Sequence, residues 1–482
     1  MRMPLRGRLL MNFATKTELL PHQTEAVVKL LPSRVGGLFM DMGTGKSRTA
    51  IELARIRQAK IDQVIWFCPV SIKPTIRYQI LTHTDTPASE VCVFDDQITE
   101  RTVPDAQWFV VGIESMSSSA RVILSAFKLV TPDSMVIVDE STFIKGHKAQ
   151  RTNRITQLAQ DCRYRLILTG TPFTQGAVDL YAQMRFLSTK ILGYSSWYSF
   201  AANHIQWSDR YRGKIERTLN SEWLAAKIRP YVYQVTKEEC LSLPVKRHTS
   251  RICDLTPQQW EAYAQAKAVF AEEVMLEEME HPHGLQSSVP IFRLFTALQG
   301  IVCGFYGDAR LPHKRLDLLL SVLEGLPDER VVIWAKYRIS TDEIVAALVA
   351  RYGAAAVCEY HGSLRPKQRE AELQRWRESG RFLVARQSVG AYGLDLTAAH
   401  YVLFYANSFK YSERIQSEDR CHRLGQTQPV TYIDLWAECK IEDRIASALA
   451  GKSSVLQDFR TEVDKIKTSR KQRLRDWLRE AI

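Results

Sequence analysis

Residues 41–47 read Asp-Met-Gly-Thr-Gly-Lys-Ser. Gly43 and Gly45 permit a close turn, with Thr44 between them, whose backbone N–H groups face phosphate oxygens. Lys46 reaches the outer phosphates and Ser47 offers its hydroxyl to magnesium. The pattern departs from the full G-x-x-x-x-G-K-S form at Met40, which stands in the place of the first glycine. Asp139 and Glu140 follow an apolar run at 135–138, and two adjacent acids can divide their labour. Asp139 is suited to hold hydrated magnesium and Glu140 to orient and polarise an attacking water. Thr169 and Thr171 lie just past another apolar run, where they either sense the nucleotide or cap the next helix. Gln416, Arg420 and Arg423, separated by four and three residues, are expected on one helical face. Their guanidiniums are suited to charge developing on a transferring phosphoryl group if they face the phosphate loop, and otherwise they form a solvated helix face.

Such groups need sheet edges to hold them. Residues 36–40, 64–68, 108–111, 135–138 and 165–168 are short, branched apolar runs, as a parallel sheet covered on both faces requires. A second series runs through 331–334, 357–360, 382–385, 401–405 and 430–435, with helical patterns between at 341–352 and 366–378. The stretch near 178–320 differs: 223–228, 258–279 and 289–299 have helical spacing, and 281–284 reads as a loop. The expected organisation is a first lobe over 1–235, a helical elaboration and linker over 236–312 that begins near 178 within the first lobe, a second lobe over 313–450, and a basic helix or tail over 451–482. In that tail, 464–482 carries seven Lys and Arg against three acids, with Leu474, Trp477, Leu478 and Ala481 near one helical face.

At 482 residues the chain exceeds what one core usually supports. With 45% hydrophobic and 24% charged residues, wholesale disorder is excluded. The formal charge of +12 suits an acidic partner such as nucleic acid. No apolar run near the start is long enough for a signal or spanning segment, so a cytoplasmic protein with no membrane association is expected. Nine scattered cysteines with no CxxC pair argue against a disulfide framework or structural zinc, and for reduced, mostly buried thiols.

Taken together, these motifs resemble the Swi/Snf-type ATPases, the DNA-translocating branch of the superfamily-two helicase-like proteins, over roughly residues 19–449. Residues 20–23, Leu-Pro-His-Gln, resemble the adenine-reading motif, which implies Gln23 as a nucleotide contact. Residues 168–172 fit the nucleotide-coupling motif, and 390–398, with Gly393 and Asp395, a strand-edge motif of the second lobe. Residues 416–426 are the most diagnostic piece and add Gln416 to the nucleotide set. The acidic motif departs from the commoner pattern, reading Asp-Glu-Ser-Thr142 where alanine and histidine are usual. The resemblance implies an α/β fold of two RecA-like doubly wound parallel-sheet lobes with a helical insertion between them. It implies ATP and Mg2+ as cofactors in the cleft between lobes, and Lys46, Glu140, Arg420 and Arg423 as catalytic.

The implied activity is DNA-dependent ATP hydrolysis coupled to translocation on double-stranded DNA without sustained strand separation. A strand-separating or strand-annealing ATPase acting on single-stranded or forked DNA, and an ATP-inactive DNA-binding scaffold, are the alternatives. A moving protein should grip phosphates rather than base edges. Lys73, Lys145, Lys148, Arg151 and Arg154, and Ser363 in a His-Gly-Ser-Leu segment, are the expected contacts or else solubilising surface and turn. The aromatic group Tyr194, Trp197, Tyr198 and Phe200 either stacks on a base or, as expected, packs within the helical elaboration. A monomer is expected, located in the nucleoid if bacterial and in the nucleus if eukaryotic.

Overall fold

Strand formation follows the apolar runs: residues 63–68 and 134–139 are buried at every position, as strands covered on both faces must be. The computed structural model describes residues 10–170, 177–207, 215–280, 289–390 and 394–451. The chain divides into two compact units between Ser242 and Leu243.

The first unit is built on seven strands: β1 (Val35–Met40), β2 (Gln63–Cys68), β3 (Val91–Val93), β4 (Trp108–Gly112), β5 (Ser134–Asp139), β6 (Tyr164–Thr169) and β7 (Val232–Val235). They pair in the order β3-β4-β2-β5-β6-β1-β7, every pair parallel. A parallel sheet puts all carboxyl ends on one edge. The register sets Leu168 beside Asp139 and Thr169 beside Phe39. With strands about 4.8 Å apart, the ends of β5, β6 and β1 therefore lie within about 10 Å of one another. Helices α1 (Pro21–Leu30), α2 (Lys46–Arg57), α3 (Ala177–Leu187) and the four-residue α4 (Lys237–Cys240) carry residues that line this edge or bond to its loops. The core joins Phe67, Phe109, Val136 and Ile167 of the sheet to Tyr181, Met184 and Phe186 of α3. Tyr194, Trp197 and Phe200 pack among Tyr181, His204 and Trp223, whereas Tyr198 is 75% exposed.

The second unit carries β8 (Lys246–Cys253), β9 (Val331–Ala335), β10 (Val357–Tyr360), β11 (Phe382–Arg386), β12 (Tyr401–Phe404) and β13 (Val430–Ala437). Their order is β8-β13-β12-β9-β11-β10, again parallel throughout. Here the structure departs from the expected helical linker over 236–312. Residues 246–253 form a strand that pairs with β13 along its whole length and belongs to the second sheet. The reason is exposure: an edge strand with five of its eight residues exposed keeps a polar sequence, Lys-Arg-His-Thr-Ser-Arg, that carries no apolar signal. Helices α5 (Pro257–Glu280) and α6 (Val289–Val302) pack with Phe409, Ile441 and Ile445, so they also belong to this unit. Seven of the nine cysteines are buried, and Cys240 and Cys253 are half-buried. Among the described residues no helix is long and apolar enough to cross a membrane.

Candidate functional site

The loop after β1 owes its shape to two left-handed glycines, Gly43 at φ +81° and Gly45 at φ +86°. Met40 is not among the residues of positive φ, which explains why a side chain is tolerated there. Gly45 caps the N-terminus of α2, where backbone N–H groups and the helix dipole favour an anion. The Lys46 ammonium donates to the carbonyls of Met40 at 2.7 Å and Asp41 at 3.0 Å, curling back over the loop it will serve. Thr44 is buried; its hydroxyl donates to the Asp41 carbonyl at 2.7 Å.

The carbonyl of Thr44 is gripped from α1 by His22 Nε2 at 2.8 Å and Gln23 Nε2 at 3.1 Å. A carbonyl only accepts, so Nε2 of His22 carries the proton. Gln23 also accepts from the Leu20 N–H at 3.0 Å in a capping box. The Gln23 amide thus joins the loop to the start of α1, its nitrogen on the Thr44 carbonyl and its oxygen on the Leu20 N–H. His22 was not singled out by sequence reasoning, although it stands in the same four-residue motif.

At the end of β5, Asp139 and Glu140 are both buried. Glu140 adopts φ +50°, ψ +56°, one of two non-glycine residues in the left-handed region among those described. Its N–H donates to Asp139 Oδ1 at 3.0 Å. Burial, and then the neighbouring Glu140 charge, push the Asp139 carboxyl up to about 7, against the pull of Lys46. A buried acid under that load is suited to a cation. Among the described residues no three His, Cys, Asp or Glu side chains cluster in a metal-holding arrangement. The donor set, one carboxylate from Asp139 and the Ser47 hydroxyl, fits Mg2+, which keeps most of its ligands as water and phosphate oxygens. Ser141 is fully buried and donates to Gln183 Oε1 at 2.6 Å, so the atypical acidic motif is tied to α3.

Thr169 ends β6 and is fully buried, and Gly170 follows against the loop. A Cβ at Gly170 would stand 3.4 Å from the Met40 carbonyl oxygen and 3.6 Å from Lys46 Nζ. Lys46, Asp139, Glu140 and Thr169 are therefore brought to one edge of one sheet. Thr171 lies outside the described residues, as does Gly393 of the second unit.

In the second unit, α7 (Tyr411–Glu418) carries Gln416 but stops before Arg420. The expectation of three side chains on one helical face is corrected: Arg420 and Arg423 lie in the turn that follows. That turn contains Gly425 at φ +100° and is held by Gln426. The Gln426 amide donates to the carbonyls of Thr397, Ala399 and Cys421 and accepts from the N–H groups of Thr427 and Gln428. This buried glutamine ties the turn to residues 397–399. The residues are nonetheless brought together. Arg420 Nε donates to the Gln416 carbonyl at 3.1 Å, its own carbonyl accepts from Leu396 N–H at 3.0 Å, and Arg423 reaches the Leu394 carbonyl at 3.2 Å. Asp395 is exposed and closes a turn onto the Thr397 hydroxyl at 2.8 Å. Arg414, missed from sequence, anchors this corner by pairing with Asp434 and with Glu418 at 2.8 Å.

The expected DNA contacts divide. Lys73 donates to the Phe94 carbonyl, Lys145 pairs with buried Asp179 at 3.5 Å, and Arg151 and Arg154 bond to the carbonyls of Phe143 and Met116 at 2.7 Å each. Lys148 and Ser363 are exposed, the latter just after β10.

Residues 22–303 match the SNF2-related domain and residues 314–425 the helicase conserved C-terminal domain. The chain is 27% identical to a SWI/SNF-related matrix-associated actin-dependent regulator of chromatin subfamily A-like protein 1 homolog of Caenorhabditis elegans, over 95% of this chain and 64% of that protein. It is 24% identical to the DNA annealing helicase and endonuclease ZRANB3 of Mus musculus, over 91% of this chain and 40% of the relative. The chain thus spans less than two thirds of these relatives. A solved Sulfolobus solfataricus SWI2/SNF2 ATPase core in complex with dsDNA matches 96% of this chain and 97% of its own, at 21% identity and a TM-score of 0.43. With the two domain matches falling on the segments that carry the phosphate loop and the paired arginines, the chain belongs to the SNF2-related family of helicase-like proteins.

Proposed function

We propose that this chain is a DNA-dependent ATPase that converts Mg-ATP hydrolysis into movement along double-stranded DNA without sustained strand separation. The observation that carries the reading is the convergence of Lys46, Asp139, Glu140 and Thr169 on one sheet edge, with Gly45 opening α2 toward the same point. In this reading the α2 N-terminus and Lys46 bind the phosphates, and Ser47 and Asp139 hold the metal. A magnesium ion held by Ser47 and Asp139 would supply positive charge against the phosphates. Glu140 accepts a hydrogen bond from the attacking water and aligns it with the γ-phosphorus. Arg420 and Arg423 of the second unit stabilise the transferring phosphoryl group once the two units close, and closure shifts the grip on DNA phosphates. Exposed Lys148 and Ser363 are the contacts retained for that grip. The protein acts as a monomer on DNA, in the compartment that holds its template.

ATP turnover measured with duplex, single-stranded and no DNA tests this. Stimulation by duplex is expected, and turnover indifferent to all three would end the proposal. Arg420→Ala should lower turnover more than DNA binding. The name of the murine relative, an annealing helicase, supports a second reading. A translocase displaces a triplex strand and leaves the duplex paired, whereas an annealing enzyme re-pairs a labelled bubble.

A further inference from the structure

The chain leaves the first unit through β7 and α4, and Ser242 is its last residue. That exit is bonded to the phosphate loop at a residue the nucleotide reading does not use. Asp41 N–H donates to the Val235 carbonyl at 3.2 Å, extending the β1–β7 ladder by one step beyond the Met40–Val235 pair. Its carboxylate Oδ2 accepts the backbone N–H of Lys237, the first residue of α4, at 2.9 Å. Its carbonyl accepts from Lys46 Nζ at 3.0 Å and from the Thr44 hydroxyl at 2.7 Å. One residue thus holds the phosphate-binding lysine with its carbonyl and the start of the exit helix with its side chain. The carboxylate's field also reaches Cys240 at the far end of α4.

An ammonium has three donors. Lys46 gives two to the Met40 and Asp41 carbonyls, so phosphate oxygens that claim more than one donor must displace at least one carbonyl. The residue that would lose that restraint at its carbonyl is the one whose carboxylate holds the first residue of α4. We propose that Asp41 is a positioning residue that transmits phosphate occupancy at Lys46 to α4, and through it to the segment joining the two units. The inference rests on the ATPase reading, and it concerns coupling rather than the bond-breaking step.

Position 237 allows a clean cut. It is the first helical residue, where proline is favoured because its missing N–H has no intrahelical partner. Thr236 before it is extended, at φ −88° and ψ 162°, as a residue preceding proline must be. Lys237→Pro therefore deletes the donor to Asp41 and keeps the helix, while Lys237→Ala removes the side chain and keeps the donor. The readout is the ratio of duplex-stimulated to DNA-free ATP turnover, with affinity for a fluorescent ATP analogue measured in parallel. Lys237→Pro should lower the ratio by about tenfold relative to Lys237→Ala, the scale of one hydrogen bond to a charged group, with analogue affinity alike in the two. Equal ratios in the two variants overturn the coupling.

If Lys237→Pro loses its cooperative melt, the decision passes to Asp41→Ala, which removes the acceptor, against Asp41→Asn, which keeps one. A lower ratio in the alanine variant supports the coupling and equality overturns it. Wild type that fails to respond to duplex sinks the ATPase reading itself in the control arm, and the coupling with it. Wild type that responds while both pairs tie sinks the coupling alone.

Discussion

Glu140 gives its backbone N–H to the carboxylate of Asp139 at 3.0 Å while its own backbone sits at φ +50°. A non-glycine residue in that region costs about 1–2 kcal/mol, and such strain gathers where a side chain must be aimed. The bond and the turn fix the backbone from which both carboxylates leave one strand end, and in the proposed reading Asp139 serves the metal and Glu140 the water.

Glu140→Gln should retain Mg-ATP binding and lower turnover by about a hundredfold or more, the usual scale for losing a positioned base. Glu140→Gly separates aim from strain. It should lose turnover equally but melt no lower than wild type, because glycine relieves the left-handed backbone. Turnover and thermal midpoints of the two variants check both statements, and undiminished turnover in the glutamine variant would remove Glu140 from the water.

Gly45→Ala attacks the loop at its tightest approach. An added Cβ at Gly45 would stand 2.0 Å from Gln23 Nε2, on a backbone already at φ +86°. The Gln23 amide must leave the Thr44 carbonyl, which costs about 1 kcal/mol for the hydrogen bond in addition to a left-handed alanine at about 1–2 kcal/mol. ATP affinity measured by titration should fall about tenfold or more. Gln23→Glu, which keeps the capping acceptor but loses the donor to Thr44, should reproduce part of that loss.

Arg414 is held by Asp434, Glu418 and Asn407, and its guanidinium lies 3.6 Å from the centre of the Phe404 ring. Removing one member of a buried ionic set leaves the others uncompensated, at about 3–5 kcal/mol. Arg414→Ala should therefore lower the melting of the second unit substantially. Arg414→Lys should recover little, since an ammonium cannot span a forked set of acceptors. A differential scan resolving the two units would show the first unit's transition unmoved.

The sheets were legible wherever strands are buried on both faces, because β1, β2, β5 and β6 must be apolar and branched. β3, β7 and β8 were not: β3 and β7 are only three and four residues long, and β8 shows five of its eight residues to water. The phosphate loop was legible since only glycine tolerates φ +81° and +86°. The turn holding Arg420 and Arg423 was misread as helix, because spacings of three and four do not reveal that Gln426 recruits backbone from residues 397–399. The bond from Asp41 to Lys237 spans nearly two hundred residues and exists only through the β1–β7 pairing, so no local pattern announces it.

Lys336 follows β9 and is half-buried against Phe409, with its ammonium 2.9 Å from the ring centre and 2.6 Å from Gln299 Oε1. Burial pushes its pKa from the ordinary 10.5 down to about 7. The unfolded chain therefore holds this proton more tightly than the folded one between those two values, and stability contributed here rises with pH across that window. Below pH 7 both states carry the charge and the full burial cost is felt. Lys336→Met removes the titration and keeps an apolar side chain, while Gln299 Oε1 still accepts from the Tyr337 hydroxyl at 2.9 Å. The variant should be more stable than wild type at pH 6, with the gap closing by up to about 1.4 kcal/mol per pH unit above 7. Denaturation midpoints of both proteins at pH 6, 8 and 9.5 measure this, and parallel profiles would mean that the Phe409 face supports the ammonium well enough to cancel the cost of burying it.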